Sequence, residues 1–155
     1  RIGGRGELAV IESGKMPLLQ STIDAVVSNL VLMMCSSKQA IEQVFTEVYR
    51  VLNSQGQWIF CITHPAFNEY NFTTFRNIFS EERRYFQEGQ QYQFVLKRKD
   101  GVEVTTSSFV DYHYPLSTYL NLLPETGFML ENVTEVNVEG NVVPPYLIVK
   151  STALK

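Results

Sequence analysis

An α/β fold with parallel strands at its centre is what this sequence predicts, on three observations. An apolar run fills residues 23–34, a helical pattern follows over 36–52, and a second apolar run at 58–62 ends in His64-Pro65. Continuous rather than alternating apolarity suits strands buried on both faces, as in a parallel sheet covered by helices. Strand, helix and strand in that order make a βαβ unit, whose crossover should be right-handed.

The opening stretch, RIGGRGELAVIESGKMPLLQST, places Gly3, Gly4 and Gly6 among basic residues. A phosphate-cradling loop needs a strand before its glycines and a helix after them. Here residues 7–11 read as a strand that follows the glycines, so these are read as a lead-in or a cut end. Glu12, Ser13 and Gly14 then fall at that strand's carboxyl end, where open α/β sheets bind ligands. Only about ten residues separate it from the 23–34 run, too few for a crossover helix, so the two strands need not be neighbours. In the helical stretch, Ser36 and Gln39 have the spacing of a capping box. Ile41, Val44, Phe45, Val48 and Leu52 form its apolar stripe, with Lys38, Glu42, Glu47 and Arg50 on the other side. Asn53 and Gly56 are the expected stop, and Trp58 to Ile62 the second strand.

Residues 66–91 are crowded with aromatics, Phe67, Tyr70, Phe72, Phe75, Phe79, Tyr85 and Phe86 among them. So many outside the βαβ rhythm suggest a lid over the strand ends, which would give an organic substrate an apolar pocket. Within it, residues 80–89 read as a short helix capped by Ser80, with Glu81 and Glu82 in its first turn. Residues 92–112 read as a hairpin, with Asp100-Gly101 as the turn and Lys97, Arg98 and Lys99 as solvated flanking charges. Asp111, Tyr112, His113 and Tyr114 are expected in one short turn before Pro115. A helix follows on Leu116, Tyr119, Leu120 and Leu123, stopping near Gly127 and tightening or breaking at Pro124. Two strands close the chain, at 129–138 and 146–149.

At 155 residues and a net charge of -3, the chain is one domain long, and nothing in its charge points to nucleic acid or a membrane surface. No apolar stretch reaches the ~18 residues that span a bilayer. Cys35 and Cys61 are read as two reduced thiols of a cytoplasmic protein. Two histidines, with no Cys or His pair at ligand spacing, argue against a metal site.

The phrases IESGKMP, STIDAVVSNLVLMM and FTEVYRVLNSQGQWIFCITHP together resemble the class I S-adenosylmethionine-dependent methyltransferases. The likeness is nearest to the small-molecule branch that includes ubiquinone and menaquinone biosynthesis enzymes. It is strong over residues 8–65 and weaker over 112–150, where residues 115–128 resemble the family's late helix. Glu12-Ser13 stand where the family has Asp-Ala, and Met16-Pro17 where it has Leu-Pro. Residues 23–29 match its fourth-strand motif, and residues 50–56 loosely match the turn after the next helix. The resemblance implies a partial Rossmann-like sheet with an antiparallel last strand, comprising residues 1–65 and 112–155. Residues 66–111 would be an inserted lid and hairpin. It also implies that the chain is the carboxyl-terminal part of a methyltransferase domain, without the family's glycine-rich motif.

S-adenosylmethionine is the implied cofactor, with Glu12, Ser13, Asn29 and Leu30 at cofactor-binding positions, although half a pocket should bind it weakly. Methyl transfer asks little of the protein beyond alignment, desolvation and sometimes a base. His64 is the first candidate base, at a strand's carboxyl end, because histidine is the side chain most often used for proton transfer at neutral pH. His113 is the second, with Asp111 as a possible orienting partner. Phe67, Tyr70 and Tyr112 are candidate substrate-binding side chains for a small, partly apolar acceptor. The alternative reading is a non-catalytic, truncated or degenerate relative that acts as an interaction module. A nicotinamide dehydrogenase fragment fits less well, because the last strands form a hairpin-like pair. A missing first strand would leave the strand at 24–32 with a bare edge, and the expected partner there is a second copy of the chain.

Overall fold

In a computed structural model, residues 6, 9–12, 14–104 and 109–155 are described. Ser13 and most of the early glycines therefore lie outside the described residues, as does part of the expected return strand of the hairpin. The elements run β1 (Ile23–Asn29), a 3-10 turn (Leu32–Met34), α1 (Lys38–Val51), β2 (Leu52–Thr63), β3 (Phe75–Phe79), β4 (Gln90–Leu96), β5 (Phe109–His113), α2 (Leu116–Thr126), β6 (Phe128–Val136) and β7 (Tyr146–Ala153). They form a four-stranded sheet in the order β1-β2-β7-β6 and a separate three-stranded sheet in the order β3-β4-β5. The β1–β2 pair is parallel, and every other pairing is antiparallel. The expected βαβ unit and the antiparallel closing pair are both present.

One face of the larger sheet holds the core. Trp58, Phe60 and Ile62 of β2 stand beside Ser151, Val149 and Leu147 of β7, all buried. Ile41, Phe45 and Val48 of α1 and Tyr119, Leu122 and Leu123 of α2 join them in one cluster. The opposite face is more open: Val27 of β1 is 72% exposed, and Ile59, Cys61 and Ile148 are half-buried. The sequence reading of β1 as buried on both faces is therefore corrected. Its apolar run served one covered face, one open face and the 3-10 turn that follows, and β1 pairs only with β2 among the described residues.

Other details also differ from expectation. Ser37, not Ser36, caps α1, its hydroxyl accepting from the Ala40 amide at 3.1 Å. Glu47 and Arg50 are not a free solvated face. They pair at 2.7 Å, the Met16 amide donates to Glu47 Oε1 at 2.5 Å, and Arg50 donates to the Met16 carbonyl at 3.1 Å. This clasp fixes the segment before β1 onto α1, and it holds the Glu47 carboxyl below its ordinary titration range. Residues 9–12 form no strand.

Asn53 and Gly56 do not merely stop a helix: α1 runs straight into β2, and residues 53–56 bulge between the Ile23–Leu52 and Ala25–Gln57 pairs. Gly56 leaves room there, since a Cβ would crowd the Asn53 backbone carbonyl oxygen at 3.0 Å. Residues 80–89 make no helix. The side chain of Gln90 instead closes the loop, accepting from the Arg84 amide at 3.0 Å and donating to the Glu82 carbonyl at 2.9 Å. Phe75–Phe79, read only as lid, is a third strand beside the expected hairpin. α2 continues two residues beyond Pro124 and ends on Gly127, whose φ of 97° and amide bonds to the Leu123 and Pro124 carbonyls finish the last turn. Pro124 has no amide to give the Leu120 carbonyl, so α2 loses one internal bond there and still runs on to Thr126.

Candidate functional site

The carboxyl end of β2 meets the buried face of the smaller sheet. Phe79, Tyr92 and Asp111 align across β3, β4 and β5, as do Gln90 and His113 across β4 and β5. Alternation sends these residues inward together. Thr63 Oγ1 lies 3.4 Å from Tyr92 Oη, joining β2 to this face. A small cavity with room for about one water molecule lies at the junction. Thr63, Asn68, Tyr92, Tyr112, His113 and Tyr114 are among its lining residues.

His113 is 1% exposed and both its ring nitrogens are engaged. Nε2–H donates to the Tyr85 carbonyl at 2.8 Å, and Nδ1 accepts from the Asn68 carboxamide at 3.0 Å. A carbonyl can only accept, so this pattern requires the neutral ring protonated at Nε2. Burial likewise pushes the His113 pKa down, the Tyr85 carbonyl opposes that, and the Arg83 charge adds to it. Asp111 does not orient His113, contrary to expectation, because Asn68 and Tyr85 have taken both nitrogens. It stands in β5, not in a turn, 6% exposed beside Tyr92, with its pKa raised to about 6 by burial. Burial first, and then the Asp111 charge, push the Tyr92 hydroxyl far up, so it remains protonated.

His64, 3% exposed, is not among the residues lining that cavity. Its Nδ1 accepts from the Ala66 amide at 3.2 Å, and its Nε2 lies 3.1 Å from Glu135 Oε1 on β6. Phe67 packs on the His64 ring, centroids 4.7 Å apart, and the half-exposed Tyr70 packs edge-on to Phe67. The two histidines thus belong to separate clusters, and neither has a ring nitrogen free of a partner.

The expected cofactor-side residues lie elsewhere, at the rim of β1. Leu30, next to the exposed Asn29, has φ of 55°, a left-handed conformation disfavoured for leucine. Its amide is held by the Cys61 carbonyl at 2.9 Å. Strain of this kind persists where the surroundings enforce it and is frequent at ligand sites. Glu12 is exposed and pairs with Lys15 at 3.3 Å. Neighbours of Glu12, Ile11 and Lys15, share an apolar groove with Val27, Val31 and Val44. An exposed carboxylate beside an apolar groove can accept hydrogen bonds from hydroxyl or amine groups while aliphatic side chains pack against a ring. No group of His, Cys, Asp and Glu able to hold a metal occurs among the described residues.

Sequence reasoning missed Asn68, Arg83 and Tyr92. Arg83, its side chain only 8% exposed, donates to the Pro65 carbonyl and lies 3.4 Å from Glu69. A single asparagine and an arginine in an aromatic-rich stretch carried no signal. The inward alternation of β4 could have pointed to Tyr92.

Comparisons with known proteins bear on the larger sheet. Residues 4–60 match the family described as a methyltransferase domain. No curated protein matches the sequence. A candidate S-adenosylmethionine-dependent methyltransferase from Listeria monocytogenes matches with a TM-score of 0.67 and 22% identity, over 92% of this chain and 66% of its own. A SAM-dependent methyltransferase from Methanosarcina mazei matches at 0.64 and 16%, over 99% and 70%. One from Mesorhizobium loti matches at 0.63 and 21%, over 92% and 67%. The chain thus spans about two thirds of the length of these structures. It has the Rossmann-like fold of the S-adenosylmethionine-dependent methyltransferases, and its residues 4–60 carry the sequence pattern of their methyltransferase domain.

Proposed function

We propose that this chain forms the acceptor-side, carboxyl-terminal part of an S-adenosylmethionine-dependent methyltransferase acting on a small, partly apolar molecule. The type proposed is the small-molecule branch that includes ubiquinone and menaquinone biosynthesis enzymes. The observation that carries this reading is the methyltransferase-domain match over residues 4–60, which falls on β1, α1 and most of β2. The strained Leu30 beside Asn29 supports it, as does the aromatic cavity at the end of β2. Bound S-adenosylmethionine supplies an electrophilic methyl group. Glu12, Ser13, Asn29 and Leu30 would hold one side of it. Phe67, Tyr70 and Tyr112 would bind the acceptor and exclude water. His64 or His113 would take the acceptor's proton only after releasing the Ala66 amide or the Asn68 carboxamide that now occupies Nδ1.

Calorimetric titration with S-adenosylhomocysteine tests the reading. Binding that weakens at least tenfold in Asn29→Ala is the expected result, and absence of heat at millimolar ligand counts against it.

A second reading, an interaction module, is favoured by the open face of β1, with Val27 72% exposed, and by its second edge, which pairs with nothing among the described residues. An exposed apolar edge recruits another chain, and a second copy through residues 24–32 is the proposed partner. Sedimentation at tens of micromolar should then find a dimer that Val27→Lys converts to monomer with unchanged circular dichroism. A wild-type chain that stays monomeric removes the dimer.

A further inference from the structure

Asn68 is 2% exposed, yet its carboxamide oxygen has no protein donor among the described residues. The residue is held at both ends. Asn77 Nδ2 donates to its carbonyl at 2.7 Å, and its own Nδ2 donates to His113 Nδ1 at 3.0 Å. Flipping the carboxamide would set its oxygen against His113, which would then have to donate from Nδ1 as well as from Nε2. That needs a charged ring, and burial and the Arg83 charge both oppose it. The oxygen is therefore fixed as an acceptor, and buried acceptors are nearly always bonded.

Asn68 also lines the cavity at the end of β2. Asn77 Oδ1 and Arg83 Nε are buried without a partner too, but neither residue lines it. The size and wall of the cavity limit what it can hold. It has room for about one water molecule. Its lining residues include no carboxylate, so a metal ion or ammonium would find no counter-charge there. An anion would set its lone pairs against that of Asn68. A small neutral donor fits both limits.

A buried water makes about three hydrogen bonds. Of the four tyrosines in the wall, Tyr114 donates to the Cys35 carbonyl at 3.1 Å, and Tyr92 Oη lies 3.4 Å from Thr63 Oγ1. Tyr112 and Tyr119 supply the remaining hydroxyls.

We propose that this cavity is the site of one internal water, which donates to Asn68 Oδ1 and bonds to the Tyr112 and Tyr119 hydroxyls. Tyr112 belongs to β5, Tyr119 to α2, and Asn68 to the segment between β2 and β3. The water therefore joins the smaller sheet to the larger one, with the chain held as it stands. His113 acts only by fixing Asn68, since both its ring nitrogens are already bonded.

Oxygen-17 relaxation dispersion of the full chain detects long-lived waters by their oxygen, so exchanging hydroxyl protons do not enter the signal. Asn68→Leu keeps the shape and removes the acceptor, and it should lower the dispersion by about the share of one water. A crystal structure of the wild type should show a single oxygen about 2.8 Å from Asn68 Oδ1. A dispersion that Asn68→Leu leaves unchanged overturns the proposal, as does an ordered Asn68 with no oxygen beside it. If Asn68→Leu fails to fold, the wild-type crystal structure decides alone.

Discussion

Phe45→Ala is expected to remove about 3–5 kcal/mol of stability, a large part of the roughly 5–15 kcal/mol that holds a domain of this kind together. Phe45 is fully buried and meets the edge of Trp58 at 4.6 Å and of Phe60 at 5.9 Å. It is the side chain through which α1 grips the sheet. Truncation loses the transfer energy of the ring and leaves a void that Trp58 cannot fill, because its Nε1–H is tied to Ser28 Oγ at 3.0 Å. Trp58 is the chain's single tryptophan, so its fluorescence reports on this contact during urea unfolding. The midpoint should fall sharply with little change in slope. Phe86→Ala is the control: 85% exposed, it should move stability by no more than about 0.5 kcal/mol. If the two variants unfold together, the core assigned to α1 and β2 is wrong.

The central unit was legible because its signals are local and repeated. Helical spacing of Ile41, Phe45 and Val48 specifies which side of α1 faces the sheet, and the apolar run of β2 leaves no other reading. Gly127 and Pro124 likewise bracketed the end of α2. What stayed hidden depends on partners distant in sequence. Glu47 and Arg50 look like solvent-facing charges until the Met16 backbone arrives between them, and residues 80–89 look helical until the Gln90 side chain closes them into a loop. The same holds for the site. The two histidines could be picked out as titratable groups, but their orientations are set by Ala66 and Glu135 in one case and by Asn68 and Tyr85 in the other. Sequence assigned Asp111 to His113 by proximity along the chain. In a strand, positions two apart share a face without being bonded to each other, and across the sheet Asp111 stands opposite Tyr92 instead.

That placement gives the molecule a pH dependence that one substitution should abolish. Burial raises the Asp111 carboxyl to about 6 from an ordinary 3.8. The folded state therefore holds this proton more tightly than the unfolded chain does. The contribution to stability is fully present below about pH 4 and is lost as pH rises through about 6, because the charge must then be carried inside the fold. At 1.36 kcal/mol per pH unit, the loss is about 3 kcal/mol. His113 works in the opposite sense. Its lowered pKa favours the neutral ring, so its contribution is present above about 6.5 and is lost as pH falls through its depressed folded value. The two partly cancel in the wild type, so a plain stability profile would not separate them. Asp111→Asn keeps the shape and removes the charge. It should be more stable than wild type by up to about 3 kcal/mol at pH 8, with the advantage fading to nothing near pH 4. Urea unfolding of both proteins across that range measures the gap directly. Curves that stay parallel from pH 4 to 8 would mean that Asp111 is charged at no cost, and so that the face of β5 it occupies is open to water.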